Sequence, residues 1–227
     1  MAFDINKKIL KTSKLIFFDL DGTLIDSKQS VISSLAYALN LGYENGYLDS
    51  IPNVDDLLIG PPLRTILKKY LPINNETLIK NIEKNFIDHY DSTSFVMAKP
   101  FEGIEWLLRS LKIADIPLSI VTNKRGNATS KIIKNLDWSE YFQSIACLDD
   151  YPECTNKAEV LRRFHTDDED SHKYIYVGDT QEDFEAAVFS KMQFIGVGWG
   201  YGQEDRLGSW VAASPTDLHN MIFEVDL

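Results

Sequence analysis

The stretch Leu15-Ile16-Phe17-Phe18-Asp19-Leu20-Asp21-Gly22-Thr23-Leu24 sets an apolar run directly against two aspartates and a glycine. Four apolar residues without polar alternation read as a strand covered on both faces, as in a parallel sheet. In an open α/β sheet, ligands bind at the carboxyl ends of the strands, where Asp19 and Asp21 fall. Residues two apart on an extended chain share a face, so the two carboxylates point the same way if the chain stays extended. Gly22 permits a sharp turn that brings backbone close to a ligand. Taken alone, the same run also reads as a simple turn with a capping aspartate.

Similar runs recur at 118–121, 174–177 and 194–197, with a weaker one at 144–148. Between them, apolar residues return at helical spacing: Ile104, Leu107, Leu108 and Leu111; Ala128, Ile132, Ile133 and Leu136; Ala158, Leu161 and Phe164. Strand–helix alternation of this kind predicts a Rossmann-like α/β core with a parallel, doubly wound sheet. From about Ser27 to Ala98 the alternation stops. Three helical patterns follow one another there: Val31, Leu35, Ala38, Leu39; then Leu63, Ile66, Leu67, Leu71; then Leu78, Ile82, Phe86, Tyr90. Asn53-Val54-Asp55-Asp56 looks like a helix start, and Pro61-Pro62 separates two helices. The expected organisation is a core of residues 1–26 and 99–227 carrying an all-helical insertion of residues 27–98.

The 227 residues suit one core domain and a modest insertion, and 44% hydrophobic against 25% charged residues argues against disorder. A formal charge of −11 repels nucleic-acid backbones and anionic membranes, so neither is an expected partner. Cys147 and Cys154 lack the spacing of a metal or redox motif and read as reduced thiols. The opening residues, Met1-Ala2-Phe3-Asp4-Ile5-Asn6-Lys7-Lys8, lack a signal-peptide pattern and no run is long enough to span a membrane, so a soluble cytoplasmic protein is expected.

Three further strand ends carry polar groups. Val121-Thr122-Asn123-Lys124 offers a hydroxyl and backbone N–H groups suited to a phosphate, or equally a helix N-cap. Thr155-Asn156-Lys157 opens a helical run from which the lysine could reach the sheet edge or remain solvated. Gly178-Asp179-Thr180-Gln181-Glu182-Asp183 reads as more carboxylates at a strand end, or as a capping box with a charged first turn. If Asp19, Asp21, Asp179 and Asp183 meet at one edge, each pair about 4 Å apart costs about 4 kcal/mol at an effective dielectric near 20. A divalent cation relieves that, and oxygen-only ligands suit Mg2+. The histidines (89, 165, 172 and 219) are scattered and read as structural or surface residues.

The four segments in this order resemble the haloacid dehalogenase superfamily, in its phosphoglycolate-phosphatase-like branch with a helical cap inserted after the first strand. The resemblance runs from about Leu15 to the last helix. It implies Asp19 as the nucleophile that forms an aspartyl phosphate, and Asp21 as the acid and then base, its backbone carbonyl also on the metal. Thr122 and the N–H of Asn123, with Gly22 and Thr23, would bind phosphate. Lys157 would pair with nucleophile and phosphate. Asp179 would ligate Mg2+ directly, and Asp183 would support the metal or its water. A carboxylate nucleophile needs no deprotonation at neutral pH, and phosphoryl transfer needs positioning and charge neutralisation above all. Dehalogenases of the family lack an Asp at position 21, so phosphate chemistry is favoured over carbon–halogen cleavage.

The expected activity is therefore that of a phosphoric monoester hydrolase (EC 3.1.3.-) acting on a small phosphorylated metabolite: phosphoglycolate, a sugar phosphate, a nucleoside monophosphate or pyrophosphate. The alternatives are a phosphomutase of the β-phosphoglucomutase type and a non-catalytic phosphate-binding or interaction protein on the same scaffold. Gly60-Pro61-Pro62-Leu63-Arg64 resembles a cap loop, so Arg64 is a candidate for a distal anionic group of the substrate, or else a solvent-facing arginine. Asp26-Ser27 could be a hinge, or a plain N-cap. The glycines of Gly196-Val197-Gly198-Trp199-Gly200-Tyr201-Gly202 invite a dinucleotide reading, discounted because the run does not open a strand–helix unit. Phe189-Ser190-Lys191-Met192 and Phe101-Glu102-Gly103 depart from the usual pattern of the branch without touching a proposed catalytic position.

Overall fold

The element order follows the alternation of the apolar runs. The protein was analysed as a computed structural model, which describes residues 15–53, 63–70, 75–164, 173–202 and 207–224. In chain order these form β1 (Leu15–Phe18), β2 (Ile25–Asp26), α1 (Lys28–Glu44), α2 (Leu63–Tyr70), α3 (Glu76–Ser92) and β3 (Lys99–Pro100). Next come α4 (Ile104–Ile113), β4 (Leu118–Thr122), α5 (Gly126–Asn135), β5 (Ser144–Cys147) and α6 (Lys157–Leu161). The chain continues through β6 (Tyr174–Gly178), α7 (Gln181–Phe189), β7 (Gln193–Val197), β8 (Val211–Ala212) and α8 (Pro215–Glu224).

Six strands form one sheet in the order β5-β4-β1-β6-β7-β8. Every pairing is parallel, with Ile16 of β1 opposite Leu118 on one side and Ile175 on the other. From β1 the chain winds outward through β4 and β5, then crosses back to β6 and winds the other way. The carboxyl end of β1 is thus the topological switch point, where such sheets hold ligands.

Period-two packing explains the unbroken apolar runs. Ile16 and Phe18 face one core with Leu107, Leu111, Ile132 and Leu218 of α4, α5 and α8. Phe17, between them, faces a second core with Val160 and Leu161 of α6 and Ala187 of α7. All three β1 side chains are fully buried, each contributing about 1.5–3 kcal/mol of hydrophobic stabilisation. Neither face of the central strand meets water, so neither carries a polar residue.

Two features differ from expectation. The edge strand β8 and the antiparallel pair β2–β3, Ile25 opposite Pro100 and Asp26 opposite Lys99, are two residues per strand. They are too short to leave a periodic signal. The helical pattern through Phe164 is an α-helix only to Leu161 and then tightens into a 3-10 turn, Arg162–Phe164. Residues 54–56 of the expected helix start, together with Pro61, Pro62 and Leu71, lie outside the described residues.

The helices between β2 and β3 bury Leu35, Ala38 and Leu39 of α1 against Ile82, Phe86 and Tyr90 of α3. α3 starts at Asn75, whose side chain accepts from the N–H groups of Thr77 and Leu78 at 3.1 and 3.2 Å. Near its other end, Asp91 clamps onto the start of α5. Its carboxylate takes both Arg125 guanidinium nitrogens, at 2.6 and 3.3 Å, and the Asn127 amide at 2.6 Å. Its carbonyl accepts from Lys131 Nζ at 2.8 Å. Charge-assisted bonds of this kind are worth about 1.5–3 kcal/mol when shielded, and less where water reaches them. Asp91→Ala is therefore expected to cost about 2 kcal/mol of stability. Hydrogen exchange of α3 should accelerate in that variant while β1 and β4 stay protected; an α3 exchange rate equal to that of the parent would disprove the clamp.

Candidate active site

The carboxyl ends of β1, β4 and β6 lie side by side and deliver the polar groups of three segments to one place. Asp19 follows β1, Thr122 ends β4, and Asp179 follows β6. After Asp19 the chain turns tightly: the N–H groups of Leu24 and Ile25 both donate to the Leu20 carbonyl, and Gly22 N–H donates to that of Ile25. Gly22 holds a left-handed φ of 84°, and a Cβ there would overlap the Asp179 carboxylate. Only glycine satisfies both conditions.

Asp19, Asp179 and Asp183 bring one carboxylate oxygen each to within 4.8 Å of one another, and all three are buried. Each has a different hydrogen-bond environment. Asp179 accepts one bond on each oxygen, from Thr23 Oγ1 at 3.2 Å and from the backbone N–H of Tyr201 at 2.7 Å, which leaves lone pairs on both. Oδ1 of Asp19 accepts no hydrogen bond, and Lys157 Nζ stands 3.6 Å from it. Asp183 is fully committed. Its Oδ1 accepts from Lys157 Nζ at 2.6 Å and Tyr176 Oη at 3.0 Å, and its Oδ2 from the N–H and hydroxyl of Thr180. Thr180 and Asp183 form the capping box that opens α7. The capping reading and the acidic-site reading of this segment are both realised.

Asp21 stands apart from that trio. Its two oxygens accept from Lys124 Nζ at 3.0 and 3.1 Å, and Lys124 lies 4.6 Å from the centre of the Tyr90 ring. Four aspartates against two buried lysines leave a formal −2 among these residues, which one divalent cation would balance. All-oxygen donors with free lone pairs suit Mg2+. Burial pushes the Asp19 carboxyl well above its usual range against the pull of Lys157, and Asp183, Asp179 and Asp21 raise it further. Asp179 is pushed up to about 6, by burial and then by the charge of Asp183, with Tyr201 N–H, Lys157 and Thr23 working the other way. Burial opposes the charge on Lys157, but Asp183 and Asp19 outweigh it and hold the ammonium firmly protonated.

The remaining sequence candidates divide. Thr122 is buried at the end of β4 and its hydroxyl accepts from Lys124 N–H at 3.3 Å. The Asn123 side chain turns to Glu182, at 2.8 Å. Arg64 does not join the aspartates: it pairs with Glu83 at 3.0 Å and with Glu76, on the wall of an adjoining cavity. His89 bridges Ser34 and Ser94, His219 packs on Trp106 and Phe223, and His165 and His172 lie outside the described residues. Cys147 and Cys154 are free thiols.

Two contributors were not visible in the sequence. Lys124 had no signal beyond its place beside Thr122. The glycine-rich loop after β7 had one, its glycine spacing, which did not point to the aspartates. Gly200 packs so closely that a Cβ there would overlap both Asp179 and the Gly22 carbonyl. Trp199 Nε1 donates to the Thr23 carbonyl at 3.0 Å. The Tyr201 hydroxyl accepts from the N–H groups of Ser27 and Lys28 and donates to Asp26. The glycines serve close approach to a carboxylate, not to a pyrophosphate.

Comparison with known proteins gives a consistent picture. Residues 16–197 match the family described as haloacid dehalogenase-like hydrolase. A phosphoglycolate phosphatase of Aquifex aeolicus is 31% identical over 208 residues, covering 90% of this chain and 94% of that protein. The tyrosine-protein kinase PtkA of Mycobacterium tuberculosis is 27% identical over 202 residues, 86% of this chain and 65% of that one. Among solved structures, a haloacid dehalogenase-like family hydrolase from Streptococcus pneumoniae superposes with a TM-score of 0.79 at 26% identity, over 93% of this chain and 99% of its own.

The raised Asp179 sets a pH dependence. Its folded-state value of about 6 lies above the unfolded value of about 3.9, so the metal-free fold keeps this contribution below about pH 4 and loses it as pH rises through about 6. Mg2+ requires the carboxylates deprotonated. The melting temperature of EDTA-treated protein should therefore fall from pH 5 to pH 7.5, and the rise on adding Mg2+ should be larger at pH 7.5. Equal Mg2+ shifts at the two pH values would contradict this account. Gly200→Ala, by displacing Asp179, should shrink the Mg2+ shift at pH 7.5 severalfold.

Proposed function

The chain belongs to the haloacid dehalogenase-like hydrolases and is an enzyme of their phosphatase type, and we propose that it cleaves a small phosphomonoester with Mg2+ through a phosphorylated Asp19. One observation carries this reading. Asp19 Oδ1 is buried without a hydrogen bond, with Lys157 Nζ at 3.6 Å, in a group of aspartates short of two positive charges. An oxygen so placed is free to attack.

In the proposed reaction, which starts with Asp21 protonated, an Asp19 oxygen forms a bond to phosphorus as the bond to the alcohol oxygen breaks, and Asp21 gives that oxygen its proton. Asp21 then takes a proton from water, whose oxygen attacks phosphorus and releases Asp19 and inorganic phosphate. The two roles of Asp21 fall in successive half-reactions, as acid–base catalysis by one group requires. Lys124 orients the Asp21 carboxylate. Asp183 and Tyr176 fix Lys157 against Asp19, where its charge faces the transferring group. Thr122 and the backbone N–H groups of Asn123 and Thr23 take the phosphate oxygens; the Gly22 N–H, expected to join them, is spent on the Ile25 carbonyl. Asp19, the Asp21 carbonyl and Asp179 would hold Mg2+, with Asp183 supporting them through Lys157 and the start of α7. When bound, the cation neutralises the charge gathering on the phosphate oxygens.

In this reading the helices of residues 27–98 act as a cap over a core of 1–26 and 99–227, with β2 and β3 as the two connecting strands. Closure would keep water out while Asp19 attacks. Among the described residues no helix is long and apolar enough to cross a membrane, and two free thiols suit the cytoplasm.

The test is phosphate release from a chromogenic aryl phosphate with Mg2+, with excess EDTA, and in Asp19→Asn. Mg2+-dependent release that falls at least a thousandfold in Asp19→Asn is the expected result. Substantial activity in that variant would sink the mechanism. Isomerised glucose 1-phosphate in place of free phosphate would make the enzyme a mutase, and label carried to a protein tyrosine would align it with PtkA.

A further inference from the structure

Beside the aspartates lies a cavity of about 280 Å³ that runs from Asp21 up to Arg64. Its walls are largely apolar: Val31, Ile66, Phe86, Ile87 and Tyr90 from the helices, and Ala128 from α5. Three cations also line it, and among the described residues each already has a carboxylate partner. Lys124 holds Asp21 at 3.0 Å, Arg125 holds Asp91 at 2.6 Å, and Arg64 holds Glu83 at 3.0 Å and Glu76 as well.

We propose that the leaving group is an uncharged alcohol with an apolar body of about the size of a ring, and that a phosphomonoester with a second anion at its far end is a poor substrate. The inference rests on the phosphatase reading above and narrows it. A distal carboxylate entering this cavity meets one of two penalties. It lies against apolar walls, or it competes with the largely buried Glu83 for the Arg64 guanidinium, whose single charge must then serve a further carboxylate. An apolar body meets neither, and its burial is favourable. The volume agrees, since it is close to the small end of ligand pockets and exceeds what a two-carbon acid fills. Arg64, expected from the sequence to receive a distal anion, is instead occupied by anions of the protein itself.

Benzyl phosphate and phosphoglycolate separate the cases, because both release primary alcohols and differ in the far end. With Mg2+ and the full chain, kcat/KM for benzyl phosphate should exceed that for phosphoglycolate by at least about tenfold, the scale on which a pocket discriminates through one mismatched group. Glu83→Gln keeps the shape but removes the competing charge from Arg64. It should move the ratio of the two kcat/KM values towards phosphoglycolate by at least about threefold. Equal or greater activity on phosphoglycolate in the parent protein would overturn the inference and leave the phosphatase reading standing. An unchanged ratio in Glu83→Gln would overturn the part given to Glu83. Hydrolysis of neither ester while the aryl phosphate is still cleaved would overturn this inference and leave the phosphatase reading standing; release from none of the three would defeat both.

Discussion

Gathering like charge in a place that water does not reach is the constraint from which much of this fold follows. Asp19, Asp179 and Asp183 are all buried, and in a site of low dielectric their repulsion is large. Two lysines, Lys124 and Lys157, answer half of the charge of the four aspartates. The surrounding chain is arranged to hold the carboxylates despite that cost. β1 and β6 fix Asp19 and Asp179 at neighbouring strand ends, the capping box of α7 immobilises Asp183, and Gly22 and Gly200 remove the side chains that would push Asp179 away.

The division of labour among the carboxylates follows from their hydrogen bonds more than from their positions. Asp183 has spent its acceptors on Lys157, Tyr176 and Thr180, so it acts on the site by fixing a lysine. Asp179 keeps lone pairs, and Asp19 keeps a whole oxygen free. A cation and an electrophile are drawn to the atoms with unspent acceptors. The same inspection explains why Arg64, an attractive anion receptor on paper, offers less to a substrate: its charge already faces Glu83 and Glu76.

Much of this was legible in the sequence, and the parts that were not share a physical cause. The strands of the core announced themselves because burial on both faces removes polar residues from Leu15–Phe18 and its neighbours. Asp19, Asp21, Asp179 and Asp183 stood out because each follows a strand. Lys124, by contrast, acquires its place from Tyr90, 34 residues earlier in the chain, and from Asp21, 103 residues earlier. The Asp91 clamp spans a similar gap. Such pairings depend on how helices dock, which no local period encodes. The strands β2, β3 and β8 escaped notice for a simpler reason: two residues are too few to alternate.

The two ends of Tyr201 join these threads. Its backbone N–H bonds the carboxylate of Asp179, while its hydroxyl bonds the linker at Asp26, Ser27 and Lys28, where the chain leaves the sheet for the helices. Lys124 makes a matching link on the other side, with Asp21 on the sheet and Tyr90 on α3. A shift of the helices that broke the Tyr90 contact would remove one of the two groups steadying Lys124, and through it the group steadying Asp21. A shift of the linker would strain the loop that seats Asp179. The acid of the proposed reaction and its metal-binding carboxylate are thus both tied to where the helices sit, so the geometry for chemistry is complete only in the arrangement that also encloses the cavity.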